Sequence, residues 1–121
     1  LKIDSMVSYV LLLLNILMLV SGQAFFKLGL EKIGGVTLAT AWKALFSPTI
    51  IIGLFLYVVA TLIWFVVLSR LPLSIAYPIQ SLAYVLGIFL AVLMFHESVS
   101  PMKWIGAIII VIGVLFIAVD K

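Results

Sequence analysis

Read from its start, the chain alternates between long apolar stretches and short polar interruptions. The first apolar run extends from Val7 to Phe26 and is closed by Lys27, Glu31 and Lys32. The second begins at Ser47-Pro48 and reaches Ser69, before Arg70, Leu71 and Pro72 make a tight connection. The third covers Leu73 to Phe95, interrupted by Pro78, and the segment His96 to Ser100 leads into a fourth run from Pro101 to Val119. Each run is close to the roughly 20 apolar residues, about 30 Å of helix, that cross a bilayer core. Ser47-Pro48 and Ser100-Pro101 each place a hydroxyl at a helix N-cap and a proline at the first helical position, where its missing N–H costs nothing. The pattern predicts an all-α membrane protein with four transmembrane helices.

The connection from Lys27 to Ser47 is too long to stay structureless in a compact bundle. Gly34-Gly35 breaks it, and Thr37 to Phe46 reads as a short helix. Leu38, Ala41, Trp42 and Leu45 recur there at i, i+3, i+4 and i+7, with Thr40 and Lys43 off that stripe. Such a piece lies flat in the headgroup layer, as a connector over the bundle or as a gate. The first run reads as a retained span rather than a cleaved signal, being longer than a signal's apolar core and interrupted by Asn15.

Composition agrees. The 121 residues are 67% hydrophobic and 9% charged, against about 25% charged in soluble domains. That leaves room for one four-helix transmembrane domain over residues 1–121 and no second domain. No cysteine is present, which removes disulfides, thiolate metal sites and cysteine nucleophiles. The net charge of +3 is spread along the chain; it forms no stripe for a nucleic acid, and cations beside lipid headgroups account for it. Orientation is balanced: Lys2, Arg70 and Lys121 share one side, Lys27, Lys32, Lys43 and Lys103 the other. Three cations against four is no usable positive-inside bias.

A polar side chain in hydrocarbon needs a partner or a water-filled cavity. Asn15, Leu19, Gln23 and Lys27 follow one another at i+4 spacing on the first helix. Asn15 and Gln23 suit helix–helix hydrogen bonds; Lys27 can snorkel to the interface or turn inward to meet an anion. On the third helix Ser74, Tyr77, Ser81 and Tyr84 share a face with Gln80 beside it, either a seam to the first helix or a cavity lining, and Pro78 can bend the helix. Trp42, Lys43, Lys103 and Trp104 form an aromatic and basic belt, with Trp64 at the opposite one. Gly106 and Gly113, seven apart on the fourth helix, permit close approach of a partner. Asp4, Glu31, Glu97 and Asp120 all lie outside or at the edge of the spans, so no embedded acid is available for proton coupling. His96-Glu97 reads as a boundary turn. With one His, no Cys and no metal-binding cluster, nothing points to a catalytic residue or a cofactor.

The stretch Leu71-Pro-Leu-Ser-Ile-Ala-Tyr-Pro78, with Phe95-His-Glu-Ser-Val-Ser-Pro101, Trp104-Ile-Gly106 and Ile112-Gly-Val114, resembles the drug/metabolite transporter superfamily, and within it the four-helix members. The resemblance covers the first helix and residues 70 to 119 well and the second helix poorly. Small multidrug resistance exporters carry an embedded Glu in the first helix; the position aligned with it is Leu19. Their third-helix Trp is replaced by Gln80 and one glycine of their kink by Tyr84, leaving Tyr77 and the fourth-helix glycines as matches. Val20-Ser-Gly-Gln-Ala24 with Lys27, Ile75-Ala-Tyr-Pro78, and His96-Glu97 with Val99-Ser-Pro101 are instead similar to the subunits of the undecaprenyl-phosphate aminoarabinose flippase.

That resemblance implies a flippase subunit that moves an anionic polyprenyl-phosphate lipid, sugar-linked or not, across the bacterial inner membrane. Lys27 or Arg70 would neutralise the phosphate, and Gln23, Tyr77, Gln80, Ser81 and Tyr84 would contact the head while the tail stays in lipid. Four helices are expected to enclose too little volume alone. The resemblance therefore implies antiparallel pairing into an eight-helix homodimer or heterodimer, with Gly106 and Gly113 at the contact. An exporter of small cationic or polar compounds and a non-transporting accessory subunit are the alternatives.

Overall fold

The computed structural model describes residues 2–120. Lys121 and the side chain of Lys2, both used in the charge comparison, lie outside the described residues. The chain forms α1 (Lys2–Lys32), a 3-10 segment (Ala41–Phe46), α2 (Pro48–Arg70), α3 (Leu73–Gln80), α4 (Leu82–Phe95) and α5 (Pro101–Val119). Among the described residues there is no strand, and four stretches, with α3 and α4 taken together, are long and apolar enough to cross a membrane. The all-α, four-span architecture is the one that the apolar runs predict.

The ends of the elements follow local chemistry. α1 has 31 residues, about 46 Å of helix, and outruns the apolar stretch at both ends. Lys27, Glu31 and Lys32 are good helix formers, so they end the hydrocarbon-crossing part without ending the helix. Gly34 and Gly35 do end it, at φ 81° and 88°, with the Gly35 amide donating to the Leu30 carbonyl at 2.8 Å. Both Ser-Pro starts cap as expected: Ser47 Oγ accepts from the Ile50 amide and Ser100 Oγ from the Lys103 amide. α4 stops where His96 takes the left-handed conformation, φ 53°, and the Glu97 amide donates to the Ala91 carbonyl at 3.0 Å.

Two elements depart from expectation. The amphipathic helix over Thr37 to Phe46 is shorter and tighter, a 3-10 segment confined to Ala41–Phe46. Thr37 and Thr40 spend their groups on each other, the Thr37 amide donating to Thr40 Oγ1 at 2.8 Å and the Thr40 amide to the Thr37 carbonyl at 3.1 Å. This turn competes with the first helical turn and leaves Leu38 outside it. Leu38, Trp42, Leu45 and Phe46 are exposed, which leaves these apolar side chains free to lie in the headgroup layer. The third span is broken, and the break falls at Ser81 rather than at Pro78. The Ser81 amide and hydroxyl both donate to the Pro78 carbonyl, and the Tyr84 amide donates to the Ser81 carbonyl. These i to i+3 bonds tighten the chain between α3 and α4.

Packing is densest between α1 and α2. A side chain at Gly53 would meet the Gly22 carbonyl at 2.9 Å and the Phe26 ring at 2.8 Å, and one at Gly29 would strike Ile50 at 2.4 Å. These small residues, not those of α5, bring two backbones of this chain together. One turn beyond that crossing, Phe26 and Tyr57 rings lie 6.3 Å apart. Leu12, Ile16, Val67 and Ala76 form the buried cluster that joins α1, α2 and α3, with Trp64 packed against it. Trp64 also meets the Tyr77 ring at 6.2 Å, so it is an inter-helix contact rather than only a belt residue.

Asn15 lies inside that cluster, 1% exposed. Its Nδ2 donates to the Ala60 carbonyl of α2 at 2.7 Å, and its Oδ1 accepts from Gln80 Nε2 of α3 at 2.8 Å. One side chain thus ties three helices together. α5 packs against α3 and α4. Gly106 and Gly113 have nothing within 4 Å of a built Cβ, so neither serves packing within the chain.

Asn15→Leu is expected to lower the unfolding midpoint in mild detergent, since each inter-helix hydrogen bond in a membrane contributes about 0.6–1.7 kcal/mol. An unchanged midpoint would show that the three helices hold together without it. Gly53→Ala should cost about 1–3 kcal/mol as α1 and α2 are pushed apart. Gly113→Ala in the detergent-separated chain should cost nothing.

Candidate functional site

A cavity of about 1040 Å³ lies between α1, the α3–α4 pair and the start of α5. It begins just above the Asn15 tie. Successive i+4 steps along a helix drift by about 40° each, so the stripe that starts at Asn15 turns away from the three-helix core as it climbs. Asn15 is consumed in the core, whereas Leu19, Gln23 and Lys27 line the cavity. The break at Ser81 forms the opposite wall and sets Tyr77, Gln80, Ser81 and Tyr84 around the same space. Tyr77 and Tyr84 are 61% and 68% exposed, so the cavity is open on this flank.

The wall is graded. Toward the middle of the span it offers Leu19, Val20, Gln23 and Ala24 beside Tyr77, Gln80 and Tyr84; toward the rim it offers the charged Lys27, Glu97 and Lys103. Leu19 holds the position aligned with the exporters' acid, and there the wall is apolar. Not every polar group is free. One Gln80 Nε2–H is held by Asn15, leaving the second N–H to donate and Oε1 to accept. Ser81 Oγ donates its proton to the Pro78 carbonyl, so toward a ligand it is an acceptor. The donors on this wall are the ammonium groups of Lys27 and Lys103, the Gln23 amide, the second Gln80 N–H and the phenols of Tyr57, Tyr77 and Tyr84.

Of the seven candidate binding residues, six meet at this cavity and one does not. Arg70 lies at the opposite end of the bundle, beside Asp4, Ser5, Ser8 and Leu71. Gln23 and Lys27 are on the fifth and sixth turns of α1 beyond Asp4, about 35 Å of rise from Asp4 to Lys27, so Arg70 and Lys27 cannot share one phosphate on one chain. Ser74, on the same predicted strip, is exposed and outside the cavity.

Three polar residues of the lining are missed by the sequence pattern. Lys103 was assigned to the belt and Glu97 to the boundary turn, yet both line the rim. The antiparallel run of four spans already puts the ends of α1 and α4 and the start of α5 on one side; how close they come is a matter of packing. Tyr57 sits in an unbroken apolar run with no periodic signal, and only the Gly22–Gly53 crossing brings it to the wall. Ligand cavities are typically about 300–1,000 Å³; this space is of that order, but one chain bounds it only in part and leaves it open on the Tyr77–Tyr84 flank.

The EamA-like transporter family is matched over residues 4–119. The probable 4-amino-4-deoxy-L-arabinose-phosphoundecaprenol flippase subunit ArnE of Aeromonas salmonicida is 42% identical over 76 residues, 63% of this chain and 67% of that protein. The subunit of that name in Pseudomonas fluorescens is 36% identical over 106 residues, 86% of this chain and 90% of that protein. The probable flippase subunit ArnF of Proteus mirabilis is 31% identical over 120 residues, 91% of this chain and 90% of that protein. No solved structure matches.

Proposed function

This chain belongs to the EamA-like transporter family, and from that membership we propose that it is one subunit of a flippase carrying a polyprenyl-phosphate lipid, with an aminated arabinose head, across the bacterial inner membrane. The observation that carries this reading is the flank-open cavity with its graded wall. A polyprenyl-phosphate lipid has an anionic phosphate, a hydroxyl-rich head and a long apolar tail. Lys27 and Lys103 at the rim supply positive charge for the phosphate, while Gln23, Gln80, Tyr77, Ser81 and Tyr84 supply hydrogen bonds and ring faces for the sugar. The tail needs no protein enclosure, because the open flank lets it remain in the bilayer. Neutralising the phosphate at the rim is what allows the head to enter the span.

A second subunit closes the open side. Gly106 and Gly113 present bare backbone on α5, flanked by exposed Ile105, Ile109, Ile112 and Phe116. That is a surface on which a similar helix can pack closely. Relatives carrying either subunit name match this chain, which favours a heterodimer of two such chains. With the two inverted, rocking of one half against the other exposes the cavity to each side in turn.

Lys27→Ala is expected to reduce retention of undecaprenyl phosphate by about ten- to a hundredfold, because a charge-assisted hydrogen bond contributes about 1.5–3 kcal/mol. Native mass spectrometry of the gently extracted protein reads the retained lipid directly. Arg70→Ala should have the smaller effect; the reverse order would put the phosphate site at the other end of the bundle.

A further inference from the structure

The rim of the cavity holds an acid as well as its two cations. Glu97 lines the same space as Lys27 and Lys103. The other described acids do not: Asp4 belongs to the opposite end, and Glu31 and Asp120 line neither cavity. Lys32, farther along α1, spends its ammonium on Thr49 Oγ1 at 3.4 Å; among the described residues no such hydrogen bond engages Lys27, Glu97 or Lys103.

The backbone that carries Glu97 is held on both sides. The left-handed His96 and the bond from the Glu97 amide to the Ala91 carbonyl fix the chain on one side of it. On the other side Ser100 caps α5. A carboxylate held at a phosphate-binding rim repels a phosphate whose head carries no other charge. It becomes favourable only when the ligand brings a cation of its own. Two ammonium groups and one carboxylate around one rim complement a head with one phosphate and one protonated amine.

Resting on the flippase reading above, we infer that Glu97 accepts the ammonium group of an aminated sugar head and makes the site discriminate against the same lipid without the amine. Glu97 is then a specificity residue, attracting one head and repelling the other.

The test compares two lipids on the full chain in native nanodiscs, with whatever partner it carries. One is a polyprenyl phosphate linked to 4-amino-4-deoxy-arabinose; the other is the same lipid linked to arabinose. Wild type should bind the aminated lipid about fivefold more tightly, the size expected of a partly solvated ion pair. Glu97→Gln should bind both with equal affinity and unfold at the wild-type temperature. If Glu97→Gln keeps the preference, or wild type shows none, the inference about Glu97 is overturned while the flippase reading stands. If wild type binds neither lipid, both fall. The wild-type comparison is decisive even where the variant is poorly produced.

Discussion

The side chain of Asn15 is the fixed point of this fold. In a bilayer the hydrophobic effect inserts helices but does little to hold them together, since lipid tails are as apolar as leucine. What remains is close backbone contact and hydrogen bonding. The Gly22–Gly53 crossing supplies the first, and Asn15 the second, by donating to Ala60 and accepting from Gln80. The tie also decides where the molecule is not packed. Below it α1, α2 and α3 share one cluster; above it the polar stripe of α1 rotates away from α2 and faces the cavity.

The break at Ser81 is the counterpart of that tie. Pro78 cannot donate to the carbonyl one turn back, but the helix is interrupted three residues later, where Ser81 bonds back to Pro78 and α4 begins at Leu82. Gln80, the last residue of α3, is held by Asn15, while Ser81 and Tyr84 swing to the cavity side. A polar strip that would be costly in lipid is thereby divided between a structural hydrogen bond and a cavity wall.

Much of this was legible in the residues themselves. The four spans follow from apolar runs and charges, and both Ser-Pro caps from local stereochemistry, because each depends on neighbours within a few positions. Gly34-Gly35 as the end of α1 is legible for the same reason. Tertiary facts were not. Nothing in the spacing says that Asn15 is spent on Ala60 while Gln23 is left free, or that Glu97 and Lys103 come close enough to share one cavity wall with Lys27; the span count alone puts Arg70 at the end opposite Lys27. The 3-10 segment was hidden because Thr37 and Thr40 satisfy each other in a turn that the apolar period does not reveal.

Family, cavity and open flank all favour the proposal that half of a lipid path is built into this chain and that an inverted second subunit completes it. The most direct measurement is translocation in proteoliposomes that contain the chain with its partner subunit. A polyprenyl-phosphate lipid with an aminated sugar is placed in the inner leaflet, and its amine is labelled from outside by a reagent that cannot cross the membrane. Labelling that rises with time, and only when protein is present, is the result predicted here. Labelling no faster than in protein-free vesicles, with both subunits folded and present, would contradict it.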